Sequence, residues 1–372
     1  MKYLKRFANN TEYFQFKNSE DYLEPNLSIV DSANSNERIQ TSKKEDNILT
    51  LTAITGGNLV IKAYGKTSPN ISYSINGSNY AEYTFDKDGI GEIITVNQGD
   101  CIKLIGNNLR GLSSSIEDYM AISYSGTMRA SGDVTSLLNE IGGDYAIPIK
   151  YCFYRLFSRC NIVQSPNLPS TSLAENCYFG MFYRCHILKY GPKILPATTL
   201  ARGCYSGMFQ DCVSLTSAPT LPATKLADGC YSSMFLGCEA LTHAPALPAT
   251  TLAQYCYESM FFGCISLTHA PALPATTLAD NCYASMFFGC TSLTRTPKIV
   301  IESSAKNCCV SMFYNCTKIS YCIISGFDKN LSNGDFFDFL GSTAQSGILI
   351  NLGFCLFDDL TPKGWSFLYI ET

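Results

Sequence analysis

The apolar positions change texture twice along the chain. Residues 1–46 are polar and charged, with NSEDYLEPN and DSANSNERIQTSKKEDN following the small aromatic patch of Tyr13, Phe14 and Phe16. So little apolar surface cannot repay the entropy of folding, and this stretch reads as an arm and linker. From Ile48 short runs alternate apolar and polar residues: NILTLTAI, NLVIKAYG, ISYSING, AEYTF, GEIITVN and CIKLIG, with Gly, Asn and Asp between them. A period of two puts every second side chain on one face, so these runs predict an antiparallel β-sandwich of six or more strands. The next stretch, MAISYSGTMRASGDVTSLLNEIG, predicts two strands and a short helix with Asp133 as its N-cap. Together these would cap whatever follows.

Beyond residue 150 a longer period takes over. A cysteine stands at 152, 177, 204, 230, 256, 282 and 308, and a second follows eight residues later each time. The intervals are 25, 27 and then 26 four times, and seven copies of such a unit predict a solenoid. In the copy LTHAPALPATTLADNCYASMFFGC, Cys282, Met286 and Cys290 recur at i, i+4 and i+8, with Tyr283 and Phe287 alongside. That spacing predicts one apolar stripe on a short helix. Asp211, Gly237, Gly263, Gly289 and Asn315, just before the second cysteine, suit a left-handed helix end. Arg159 and Arg184 occupy that place in the first two coils and predict a different ending there. SLTHAPALP reads as extended, with Leu267 and Leu273 inward, and Pro271 removes a ladder donor, so the parallel strands should be short or interrupted. Strands stack about 4.8 Å apart and packed helices about 8–10 Å. A coil with one of each must bend, concave on the strand side.

The motif cysteines allow several chemistries, which geometry separates. On a helix, eight residues of rise put the two Cα atoms about 12 Å apart, beyond the roughly 4.4–6.8 Å of a disulfide. Zinc favours close cysteine pairs with further ligands nearby, which this spacing does not supply. Catalysis needs one special thiol, and seven equivalent copies argue against that. The expectation is reduced, buried thiols that act as small hydrophobes in the core: Cys204, Cys212, Cys230, Cys238, Cys256, Cys264, Cys282 and Cys290. Cys101, Cys309, Cys322 and Cys355 lie outside the pattern.

Composition narrows the classes further. The net charge is -4, with no Lys/Arg cluster to track a phosphate backbone, so no nucleic-acid partner is expected. No apolar run is long enough for a membrane span, and the N-terminus shows no signal-peptide core. A Ser/His/Asp set, a P-loop, a dinucleotide turn and paired carboxylates on one face are all missing from the sequence pattern. The chain therefore reads as no enzyme, with no cofactor and no metal. Asp335 and Asp338, in GDFFDF, fall in the terminal cap and are assigned no chemistry, and Tyr80 and Tyr83 read as packing. One column of the repeat stands out, two residues after the repeat leucine at the start of each strand. It holds Tyr190, Ser217, His243, His269 and Arg295, bordered by Thr216, Thr242, Thr268 and Thr294. Rings and hydroxyls of this kind suit a neutral polar ligand such as a glycan. The competing surface is the helix side, with Gln254, Tyr255, Glu258, Asp280 and Asn281.

The unit LPATTLAxxCYxxMFxGCxSLTxAP resembles the bacterial surface 26-residue repeat of the BspA-like leucine-rich-repeat group, found in Bacteroides-type bacteria and their phages. Met286, Phe287, Gly289, Cys290 and Leu293 and their equivalents carry the resemblance, which covers roughly residues 126–370. YLKRFANNTEYFQFKNSEDYLEPNLSIV resembles the opening of Bacteroides phage structural proteins. The expected fold class is α+β, a β-sandwich followed by a right-handed leucine-rich-repeat-like solenoid of about seven coils. Its parts are an arm (1–46), a sandwich (47–117), an N-terminal cap (118–150), a solenoid (151–320) and a C-terminal cap with Trp365 (321–372). The resemblance implies adhesion or recognition. The preferred reading is a virion component, joined to other virion proteins or to copies of itself through its N-terminal region, with the solenoid binding a host-surface glycan or protein. The alternative is an adhesin of the bacterial cell surface. A polysaccharide-active enzyme ranks third.

Overall fold

The computed structural model describes residues 47–65, 69–326, 333–336, 338–343, 346–352 and 365–369. The arm, Cys355 and much of the C-terminal cap lie outside the described residues. Eight strands come first: β1 (Leu49–Ala53), β2 (Gly57–Tyr64), β3 (Ile71–Ile75), β4 (Ala81–Glu82), β5 (Ile94–Val96), β6 (Cys101–Gly106), β7 (Tyr119–Tyr124) and β8 (Met128–Ser131). They form a five-stranded sheet in the order β4-β3-β6-β1-β8 and a three-stranded sheet in the order β5-β2-β7, with antiparallel pairing throughout. Alternation explains the faces. In β1 Leu49, Leu51 and Ala53 are buried, and in β2 Leu59, Ile61 and Ala63 are.

The segment expected only as a cap contributes two strands to these sheets, since β7 pairs with β2 and β8 with β1. It also carries the chain into the coils. The Met128 N–H donates to the Asn161 carbonyl (3.0 Å) and the Ala130 N–H to Gln164 (2.9 Å), so the first coil adds its rung to the edge of β8. The short helix α1 (Ser136–Asn139) has Thr135 as its N-cap, not Asp133. The Asp133 carboxylate instead accepts the Gly143 N–H (3.0 Å) and the Asn167 Nδ2 (3.2 Å), which ties the loop after α1 to the first coil.

The expected helix in each coil does not form, and the α+β class becomes a β-rich fold with little helix. Among the described residues only α1 and a 3-10 turn at Asn333–Phe336 are helical. Each C-x7-C segment is a ribbon of turns. At Asn281, Ser285 and Gly289 the backbone takes φ of 54°, 53° and 72°, so every fourth residue is left-handed. Between these points the amides alternate in what they bond. The N–H groups of Tyr257, Ser259, Phe261 and Gly263 donate to the carbonyls of Cys282, Ala284, Met286 and Phe288 in the next coil, at 2.7–3.1 Å. Those of Glu258, Met260, Phe262 and Cys264 close turns onto the carbonyl three residues back, at 3.1–3.2 Å. The ribbon therefore satisfies its backbone partly within the coil and partly across coils, as a parallel sheet would. The first coils end as the later ones do, because Arg159 and Arg184 are left-handed too, each at φ 59°.

This geometry sets the core. Cys256, Tyr257, Met260, Phe261 and Cys264 are all buried, two adjacent residues in every four. Stacked coils align them into columns. The tyrosines 178, 205, 231, 257 and 283 follow one another at 5.8–6.0 Å between ring centroids. The phenylalanines 157, 182, 209, 235, 261, 287 and 313 do so at 5.3–5.6 Å. The turn side thus repeats far closer to the spacing of strands than to the ~8–10 Å of packed helices, so most of the mismatch expected between the two sides is removed. Leu267 and Leu273 point inward as expected. On that side the coils meet through isolated bridges, and regular strands appear only at the end. There β9 (Arg295–Ile301), β10 (Tyr321–Gly326), β11 (Ile348–Leu352) and β12 (Ser366–Tyr369) pair in parallel, with Trp365 buried beside them.

Candidate functional site

The rung side presents the column singled out by the repeat. Tyr190, Ser217, His243, His269 and Arg295 are all exposed, one per coil. Parallel bridges join Tyr190 to Ser217 and His243 to His269, and Arg295 pairs with Tyr321 where β9 meets β10. The column is longer than the five residues named from the repeat. Gln164 bridges to Tyr190 before it and Tyr321 continues it after, each 26 residues away. The same spacing would have found both.

The flanking threonines orient the rings. The Thr242 hydroxyl lies 2.9 Å from His243 Nδ1, and the Thr268 hydroxyl 3.0 Å from His269 Nδ1. The Thr268 hydroxyl donates to the Thr242 carbonyl (3.3 Å), as Thr216 does to Lys189 (3.3 Å). The Thr268 hydroxyl thus occupies His269 Nδ1, which leaves Nε2 as the ring atom available to a ligand. At the head of the column the Lys189 ammonium sits 5.4 Å from the Tyr190 ring centroid. The arrangement offers ring faces, hydroxyls and imidazole nitrogens in register. It converges on no single reacting atom. Among the described residues no three His, Cys, Asp or Glu side chains cluster as a metal site.

The motif thiols have a different task. All fourteen are buried and free. From the second coil on, the second cysteine turns its Sγ onto the carbonyl of a phenylalanine in the preceding coil: Cys212 to Phe182 (3.1 Å), Cys238 to Phe209 (3.2 Å), Cys264 to Phe235 (3.1 Å), Cys290 to Phe261 (3.1 Å). Burial pushes the thiols of Cys230, Cys264 and Cys282 up to about 12 and raises those of Cys204, Cys212, Cys238, Cys256 and Cys290 as well. A thiol held in that state is a poor nucleophile. Cys308 differs: a hydrogen bond from the Cys309 side chain draws it below the ordinary value.

The remaining candidates are structural. The Asp335 carboxylate accepts the Asn307 N–H (3.0 Å) and anchors the last coil. Tyr83 is buried, its hydroxyl accepting the Ile61 N–H (2.8 Å) and donating to the Glu92 carbonyl (2.6 Å), whereas Tyr80 is exposed. Glu258, read as outward, is half-buried and accepts the Ser232 hydroxyl (3.3 Å). Among the described residues no helix is long and apolar enough to cross a membrane.

No protein-family model and no curated protein matches the chain. Among solved structures, a leucine-rich repeat protein from Bacteroides ovatus is similar at 15% identity, covering 83% of this chain and 100% of that one with a TM-score of 0.24. A leucine-rich cell-surface protein from Faecalibacterium prausnitzii is similar at 14% identity, covering 78% of this chain and 72% of that one with a TM-score of 0.33.

Proposed function

We propose that this chain is a non-catalytic repeat protein of the bacterial cell surface that binds a neutral glycan or a protein through its rung face. The observation that carries the reading is the in-register, exposed column from Tyr190 to Arg295, with threonine hydroxyls holding the histidine rings. Repeated identical spacing suits a ligand that is itself extended, and solenoids bind along such surfaces. The sandwich followed by seven stacked coils is the architecture that would present it. The cell-surface setting follows the resemblance of the repeat unit, and nothing in the geometry favours the virion reading over it. Buried thiols with raised pKa values make poor nucleophiles, in keeping with a binding role.

The test is attachment of labelled protein to bacterial cells and to arrayed glycans. The double substitution His243→Glu with His269→Glu should weaken attachment while the urea unfolding midpoint stays in place. Tyr255→Glu with Asn281→Glu, on the turn ribbon, should leave attachment intact. The opposite pattern moves the site to the ribbon and removes the reading.

A further inference from the structure

The first two coils break the repeat on the turn ribbon, at positions where the backbone is least tolerant. The middle left-handed position is Gly180, Gly207, Ser233, Ser259, Ser285 and Ser311 in coils two to seven, but Arg155 in the first, at φ 51°. The last one is Arg159 and Arg184 in the first two coils and small or short polar residues afterwards. Left-handed backbone disfavours any L-residue, and these three neighbouring points are the ones at which it carries an arginine.

The charges are only partly matched. Arg184 Nε reaches Asp211 Oδ2 at 3.2 Å. Arg155 and Arg159 have no carboxylate partner among the described residues, and Arg155 Nε is buried without a hydrogen-bond partner. The Arg155 guanidinium instead lies 5.2 Å from the ring centroids of both Tyr154 and Tyr183. More rings extend the surface onto the sheets. Tyr154 meets Tyr119 of β7 edge-on at 5.2 Å, and Tyr119 stacks on Tyr64 of β2 at 4.6 Å, leaving Tyr64 42% exposed. The Arg155 guanidinium thus lies one ring away from Tyr119, and Arg159 is the next left-handed residue of the same coil and is exposed.

We propose that this arginine–tyrosine face binds an acidic polysaccharide, its uronate carboxylate taken by Arg155 and Arg159 and a sugar ring lying on Tyr64. A guanidinium matches a carboxylate in a planar fork, and the exposed Arg159 and half-buried Arg155 can turn their terminal N–H groups outward while the Arg155 Nε stays packed against the coil. The flat tyrosine ring suits the C–H face of a pyranose. A net charge of -4 for the whole chain works against general attraction of polyanions, so a local match is required. The face lies on the turn ribbon and is independent of the rung column.

The experiment is affinity electrophoresis of the full chain through gels containing polygalacturonate or neutral dextran. Polygalacturonate should retard the protein and dextran should not. Arg155→Gly and Arg159→Gly, which install the residue other coils use, should each weaken retardation about tenfold or more. They should also raise the unfolding midpoint in urea, because strain is released, so binding lost through misfolding would be recognised by a fall instead. His243→Glu with His269→Glu should leave polygalacturonate retardation unchanged. Retardation that survives Arg155→Gly combined with Arg159→Gly in one chain, equal retardation by dextran, or none by polygalacturonate overturns the proposal.

Discussion

Substitution at Ser259 separates the turn ribbon from a helix by sign rather than by size. Ser259 is the middle left-handed residue of its coil, at φ 52°, and its N–H donates to the Ala284 carbonyl at 2.9 Å. In a helix alanine would be the best residue here and glycine would be worse than alanine by about 1 kcal/mol. On left-handed backbone the order inverts. An L-residue costs about 1–2 kcal/mol there, glycine carries no such cost, and the extra chain entropy glycine loses offsets about 0.5–1 kcal/mol of the gain. Ser259→Gly should therefore raise stability by about 0.5–1 kcal/mol, with Ser259→Ala below it by a similar margin. Equilibrium urea denaturation of the two variants beside the native protein reads the difference in midpoint at constant slope. An alanine variant more stable than the glycine variant would refute the ribbon.

Other consequences are open to simple assays. Burial raises the Glu258 pKa above the ordinary 4.5, with the Ser232 hydroxyl opposing. A raised acid stabilises the fold below its unfolded pKa and loses that contribution as pH rises through its folded pKa. Glu258→Gln should accordingly be more stable than the native protein near neutral pH, and the advantage should shrink as pH falls through the raised pKa and be gone below 4.5; a pH-independent difference contradicts the burial. Thiol titration at mildly alkaline pH should modify half-exposed Cys101 in the folded protein and reach the fourteen motif cysteines only on unfolding. Motif cysteines found oxidised in pairs would contradict the S–H contacts to the phenylalanine carbonyls.

How far the sequence could be read depended on which periodicity carried the information. The alternating runs placed β1 to β6, because a half-buried strand has few other ways to satisfy a period of two. The interval of 26 residues placed the columns, since in-register stacking makes the repeat length the rung spacing. The helix was misread for a physical reason. Cys282, Met286 and Cys290 at i, i+4 and i+8 fit one helical face loosely, but burial of Tyr283 and Phe287 as well makes the period a strict four. A helix of 3.6 residues per turn would drift off that register. The distinguishing signal lay in the residues between them: Asn281, Ser285 and Gly289 repeat every fourth place, and two of these are types that tolerate left-handed backbone. Arg159 and Arg184 hid that rule, because strain at a left-handed arginine cannot be read from residue type. The rung column was legible in its middle and missed at Gln164 and Tyr321, where the motif around it fades.

Through-hydrogen-bond NMR couplings on deuterated protein test the central claim that each coil is a ribbon bonded to its neighbour, which holds the rung column in register. The Tyr257 amide should show a coupling to the Cys282 carbonyl, and the Phe261 amide to that of Met286. Couplings from the same amides to the carbonyls four residues back, Ala253 and Tyr257, would establish a helix and contradict the account.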